Sequence, residues 1–184
     1  MALTKTPVCD FGKKAEDFKL KSIDNKVISL NDIKGDKATL IMFICNHCPY
    51  VKAIIKDLAN DCNELKKDGI NSVAIMSNDT KNYPEDSFEN MIKFANSNNF
   101  GEINYLFDET QEIAKKYGAV CTPDFFGYNA ALELQYRGRL DATRMAETSH
   151  DLEPELLNAM INIAQTGQGP INQNPSVGCS IKWR

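Results

Sequence analysis

The chain has little of what marks a membrane, secreted or nucleic-acid-binding protein. No apolar run approaches the ~20 residues of a membrane helix; the longest, 38–45, has the length of a strand. The first residues, Met-Ala-Leu-Thr-Lys-Thr-Pro, lack the apolar core of a secretory leader, so a cytoplasmic location is expected. Basic residues are not in excess: 21 Lys and Arg stand against 25 Asp and Glu, for a net charge of −4. Nucleic-acid binders usually carry a basic face and membrane-surface proteins a polybasic segment, so neither partner is expected. Repeats and low-complexity segments are missing, and there is one Trp and two His.

What is present fits one globular unit. At ~150 residues per domain, 184 residues read as a single domain over 1–184. Within it, 1–36 form an N-terminal hairpin extension, 37–165 the core and 166–184 a tail. A chain of this size buries roughly 70% of its unfolded surface and needs no staples. The six cysteines, Cys9, Cys45, Cys48, Cys62, Cys121 and Cys179, therefore need not form the disulfide framework of a small secreted protein. Core packing, metal binding or catalysis remain for them; Cys9 and Cys62 are read as structural.

Residues 18–30 alternate apolar and polar about Asp24-Asn25, the pattern of a hairpin. The run 39–44 is apolar after its first residue, Thr39, as in a strand buried on both faces. Pro49 then opens a helix in which Val51, Ile54, Ile55, Leu58 and Leu65 recur at helical spacing, stopped at Gly69. A second buried strand is expected at 70–76, a helix from Pro84 carrying Phe88, Met91, Ile92 and Ala95, and a strand at 105–107. A short helix over 109–117, a hairpin about Asn129, a last helix over 151–165 and a tail rich in Asn, Pro and Gly complete the chain. Strands alternating with helices imply parallel pairing in part of the sheet, and the late hairpin adds antiparallel edges: a mixed α/β sheet with helices on both faces.

Cys45-Asn-His-Cys48 falls where a buried strand gives way to a helix. Unpaired backbone N–H groups and the helix dipole favour negative charge there, and a cysteine so placed, or beside a protonated His, ionises well below ~8.5. His47 lies between the two cysteines. Two intervening residues on a first turn bring both sulfurs within bonding reach and leave the first more exposed, which suits a reversible disulfide. Chance core residues and half a zinc site compete with this reading; no second C-x-x-C or H-x-H pair completes a zinc site. Haem attachment needs His after the second cysteine, where Pro49 stands.

The chain resembles the thioredoxin-fold superfamily, and within it the peroxiredoxin-like branch of the alkyl hydroperoxide reductase/thiol-specific antioxidant family. The resemblance rests on the leading hairpin, Phe43-Ile-Cys-Asn-His-Cys-Pro-Tyr50, Ser77-Asn-Asp79, Asp108-Glu-Thr-Gln-Glu112, Cys121-Thr-Pro-Asp-Phe125 and Gly178-Cys-Ser-Ile-Lys-Trp183. It implies a thioredoxin-like fold: a mixed central sheet flanked by helices, with an N-terminal β-hairpin extension and an extra helix insertion. It also implies that Pro123 is a cis-proline facing the dithiol, an X-Pro bond being where cis is readily adopted, and that the backbone of Thr122 pairs with substrate. Cys121 then lies close to the site, as an auxiliary thiol or a small buried residue.

The chain departs from its relatives in ways that bear on chemistry. Ile44 stands where thioredoxins carry Trp, and Thr39 where they carry a buried Asp; Asp79, Asp124 or water would have to serve as proton acceptor. Against the peroxidase motif Cys48 takes the peroxidatic place, Cys45 replaces Thr and Ile41 replaces Pro, so dithiol exchange is favoured over peroxide reduction. The expected activity is that of a thiol-disulfide oxidoreductase: Cys45 attacks a substrate disulfide and Cys48 resolves the intermediate, with His47 tuning the thiolate. No cofactor or resident metal is implied. The partners would be a disulfide-containing protein or small thiol substrate and a cellular thiol reductant. Two alternatives stay open: a thiol peroxidase using Cys48, and a non-catalytic copper or zinc carrier or sensor using Cys45, Cys48 and His150. His150 is otherwise a solvated first-turn residue, and Arg137, Arg139 and Arg144 either favour an anionic partner or form a solvated hairpin rim, the rim being the expected reading. Cys179 is either an auxiliary resolving thiol or part of a tail docked through Ile181 and Trp183.

Overall fold

The structure is a computed structural model describing residues 3–143 and 152–184; Arg144, His150 and the expected start of the last helix at Asp151 lie outside the described residues. The long apolar run becomes β4 (Ala38–Phe43), with all six residues buried. It pairs parallel with β5 (Ile70–Met76) and antiparallel with β8 (Asp124–Asn129). Successive strand residues face opposite sides: Leu40 and Met42 enter one apolar cluster, Ile41 and Phe43 the other. A strand covered on both faces has no place for polar alternation, which is why its sequence shows none.

Among the described residues the main sheet runs β3-β2-β6-β5-β4-β8-β9. The expected hairpin is β2 (Lys19–Ser22) and β3 (Val27–Ser29), joined to β6 (Asn104–Phe107). At the other edge β8 pairs with β9 (Leu134–Tyr136). The protein is thus thioredoxin-like α/β, with a mixed sheet flanked by helices.

Helix α2, Pro49–Lys67, follows a short α1 (Leu30–Ile33) and packs Val51, Ile54, Ile55, Leu58, Cys62 and Leu65 into the first cluster. Each large apolar side chain so buried contributes about 1.5–3 kcal/mol. Helices α3 (Phe88–Ser97) and α5 (Glu155–Thr166) cover the same face through Met91, Ala95, Leu156, Met160 and Ile163. Helix α4 (Glu112–Tyr117) covers the opposite face with Ile113, Ala114 and Tyr117.

Two expected elements differ. Helix α3 does not begin at Pro84: Pro84–Asp86 form a separate 3-10 turn, because Ser87 caps a new helix by accepting from Asn90 N. The tail is more than a docked coil: β10 (Val177–Ser180) lies between β1 (Leu3–Lys5) and β7 (Cys121–Thr122) in a second sheet. Ile181 is buried, but Trp183 is 42% exposed, so the anchor is the strand and Ile181 rather than the indole.

Candidate active site

The carboxyl ends of β4 and β5, the first turn of α2, the 3-10 turn and β7 converge on the dithiol. Cys48 is the N-cap of α2 and Pro49 its first residue, where proline's missing N–H is no loss. The Thr122–Pro123 bond is cis. Thr122 touches both sulfurs: its hydroxyl lies 3.3 Å from Cys45 Sγ and its carbonyl oxygen 3.2 Å from Cys48 Sγ.

The C-x-x-C spacing predicts Cys45 as the more exposed thiol. Both are closed off, at 1% and 0% exposure, because Thr122 meets both, His47 and Asp86 flank Cys45, and β10 brings Cys179 against Cys48.

His47 is directed by a residue that the sequence did not single out. Its Nδ1 lies 2.6 Å from Asp86 Oδ2 and 4.0 Å from Cys45 Sγ, so its close partner is the carboxylate rather than the thiol. Asp86 is fully buried and also accepts from the backbone N–H groups of Asn46 (2.8 Å) and His47 (3.2 Å) and from Asn78 Nδ2 (2.8 Å). Tyr105 donates to Asn46 Oδ1 at 2.9 Å, and Tyr83 stacks on the imidazole. The two residues between the cysteines are thereby held by a single carboxylate. In the sequence Asp86 was only an acidic residue at a helix start.

The other acids considered are committed elsewhere. Asp124 pairs with Arg137 (3.0 Å) and accepts from Val120 N; burial pushes its carboxyl up, with Arg137 opposing. Asp79 accepts from Lys81 N and Asn82 Nδ2 and lies near Arg184. Thr39, at the position of the thioredoxin acid, accepts from Gly35 N at 3.0 Å.

The two thiols are hydrogen-bonded to each other and shift in opposite directions. The hydrogen bond from Cys45 is the main force drawing Cys48 down to about 4, against burial, with help from the Cys179 thiol and the N–H groups of Val51 and Cys179. The same bond, burial and the Asp86 carboxylate push Cys45 well up, while the Thr122 hydroxyl opposes them. These shifts favour the thiolate on Cys48, whereas the sequence placed it on Cys45. Thr122 favours the other tautomer, since its hydroxyl donates to an ionised Cys45 while its carbonyl accepts from a protonated Cys48.

The remaining thiols divide. Cys121 donates to Pro123 O at 3.5 Å, and burial pushes it up strongly. Cys62 is a core residue of α2 held near 12 by burial, and Cys9 near 11 for the same reason. Cys179 hydrogen-bonds Cys48, a contact that nothing local in the tail announces. Of the carrier's expected ligands, His150 is outside the described residues; Cys45, His47 and Asp86 do bring their donor atoms within 4.8 Å of one another. Beside Pro123 opens a cavity of about 630 Å³, lined by Tyr50, Ile54, Phe125, Arg139 and Leu140 among others.

The family model described as AhpC/TSA matches residues 11–143. The chain belongs to the AhpC/TSA family. A thiol-based redox function follows from that membership. Among solved structures, this AhpC/TSA protein is similar to an uncharacterized conserved protein from Geobacillus kaustophilus, with 43% identity, TM-score 0.92, and coverage of 100% of this chain and 97% of that one. A hypothetical protein from Sinorhizobium meliloti 1021 is 35% identical, with TM-score 0.91 and 98% of each chain covered. The thioredoxin domain of a thiol-disulfide oxidoreductase from Bacteroides vulgatus shares the fold at 18% identity and TM-score 0.58, over 69% of this chain and 86% of that one. No curated protein matches the chain.

Proposed function

We propose that the protein is a thiol-disulfide oxidoreductase whose working couple is Cys45 and Cys48. The observation that carries this reading is the placement of both sulfurs on Thr122, with hydroxyl to one and carbonyl to the other. The proton on Cys45 passes along the S–H···S bond to Cys48, and Thr122 steadies the resulting Cys45 thiolate. Cys45 attacks a substrate disulfide, forming a mixed disulfide and releasing one substrate thiolate, which takes up the Cys48 proton. Cys48 then attacks Cys45 Sγ, the Cys45–Cys48 bond forms, and the second substrate thiolate leaves and is protonated from water. A disulfide-bearing peptide or small disulfide approaches along the cavity beside Pro123, and a cellular thiol reductant returns the couple to the dithiol.

The test is a glutathione redox titration, quenched by alkylation and read by peptide mass spectrometry across all six cysteines. A reversible Cys45–Cys48 bond with a defined potential supports the reading; failure of the two to pair at any ratio overturns it. The downward shift of the Cys48 thiol favours a second reading, thiol peroxidase chemistry at that sulfur with antioxidant action. Peroxide consumption that survives Cys45→Ser and not Cys48→Ser would select it.

A further inference from the structure

Cys179 does not behave as a core cysteine. Strand β10 runs antiparallel to β7 with Cys179 opposite Thr122. A Cβ at Gly178 would meet Thr122 O at 2.0 Å and its carbonyl carbon at 2.6 Å, so glycine there lets the tail lie flush on the residue that touches both sulfurs. Beside it the Cys179 and Cys48 side chains hydrogen-bond directly.

This approach is held from both ends. Ahead of Cys179, Thr6 N donates to Ser176 O at 3.0 Å and Ser176 Oγ to Pro123 O at 2.8 Å. Beyond it, Lys182 N donates to Asn78 Oδ1 at 2.9 Å and Gln111 Nε2 to Lys182 O at 2.7 Å. Asn78 also donates to Asp86 at 2.8 Å, so one polar network fixes both His47 and the tail. Cys62, by contrast, sits in the core on α2 with its thiol 4.0 Å from the sulfur of Met42, far along the helix from the dithiol.

We propose that Cys179 is a third thiol of the redox site, which attacks Cys48 Sγ of the Cys45–Cys48 disulfide to give a Cys48–Cys179 disulfide and a free Cys45. The inference rests on the dithiol reading above. The Cys48–Cys179 bond forms as the Cys45–Cys48 bond breaks; Cys45 leaves as the thiolate and takes the proton that Cys179 gives up. No net electrons move and no further reagent is needed. Burial is the main force holding Cys179 up at about 12 in the dithiol state, and the Cys48 sulfur adds to it. Closing the Cys45–Cys48 bond removes the charge on Cys48, and Cys179 becomes easier to ionise when its attack is due. The freed Cys45 can then form a mixed disulfide with a second substrate disulfide, releasing one substrate thiolate, and Cys48 resolves it once a cellular thiol reductant has reopened the Cys48–Cys179 bond.

The experiment equilibrates wild type, Cys45→Ser, Cys45→Ala and Cys179→Ala with reduced and oxidised glutathione, alkylates them and maps every cross-link by peptide mass spectrometry. Wild type is expected to show both the 45–48 and 48–179 cross-links, within about tenfold of each other, the ratio set by a gap of up to about 30 mV. Both Cys45 variants should form 48–179 through a glutathione adduct on Cys48, and Cys179→Ala only 45–48. Wild type that forms 45–48 and never 48–179, with Cys179 alkylated throughout, overturns the inference and leaves the dithiol reading standing. Wild type lacking 45–48 sinks the dithiol reading itself. The wild-type map decides the matter even if a variant fails to fold.

Discussion

The hydroxyl of Thr122 lies 3.3 Å from the sulfur of Cys45, close enough to donate to it as a thiolate. Hydrogen bonds to charged groups contribute about 1.5–3 kcal/mol, so this contact lowers the free energy of the attacking form while leaving the neutral thiol little changed. Thr122→Val keeps the shape and removes the donor. Single-turnover reduction of a disulfide probe should slow by about tenfold, the effect of ~1.4 kcal/mol on a barrier. An unchanged rate would mean that the hydroxyl plays no part in making Cys45 reactive.

The charge on Cys48 sets how the potential follows pH. With Cys48 drawn down to about 4 and Cys45 pushed up, reduction of the disulfide takes up two electrons and one proton through the neutral range. One proton per two electrons gives about 30 mV per pH unit, against about 59 mV for a pair that takes up two. Glutathione titrations from pH 5 to pH 8 separate these slopes. The stability of the reduced form obeys the same linkage: the unfolded chain binds more protons above pH 4, so stability rises with pH toward the ordinary cysteine value and is lost as pH falls through about 4. Disulfide-bonded protein should lack that dependence. A thiolate stabilised in the reduced state also places the couple toward the oxidising end of related dithiols.

Asp86 works against a thiolate on Cys45 and for the architecture around it. Asp86→Asn removes a charge that raises Cys45 and also unsettles the N–H groups of Asn46 and His47 and the ring of His47. In a Cys48→Ser background, the pH profile of Cys45 alkylation should move to lower pH, and denaturant unfolding should report a loss of about 1–3 kcal/mol. Loss of stability with an unmoved alkylation profile would assign Asp86 a structural part alone.

What the sequence revealed was local, and what it hid depends on residues far apart. The dithiol, Pro49 and the apolar stripe of α2 are consecutive, and the six buried residues of β4 read directly as a strand covered on both sides. Strand β7 has two residues, too few for any periodicity, and its partner β10 lies in a segment whose Asn, Pro and Gly suggest coil. Their pairing, and with it the contact of Cys179 with Cys48, exists only once the chain folds. Asp86 is forty residues from Asn46, and an acid after Pro-Glu reads as an ordinary helix start until the turn carries it under the dithiol.

Arg137 gives a control in which stability and redox chemistry part. The sequence placed it on a solvated rim, yet its side chain is 9% exposed and lies 3.0 Å from the buried Asp124. It donates also to Gly118 O at 2.7 Å and stacks on Phe126. Removing one partner of a buried pair typically costs about 3–5 kcal/mol, because the other charge is left uncompensated. Arg137→Met should therefore show a loss of that order in urea unfolding, while Asp124→Asn combined with it should recover part of the loss. Among the described residues, the side-chain hydrogen bonds of Arg137 and Asp124 go to each other, Gly118 O and Val120 N rather than to the sulfurs of Cys45 or Cys48, so the potential of the surviving folded protein should stay at the wild-type value. A shifted potential in the double variant would instead tie Asp124 to the proton traffic of the dithiol.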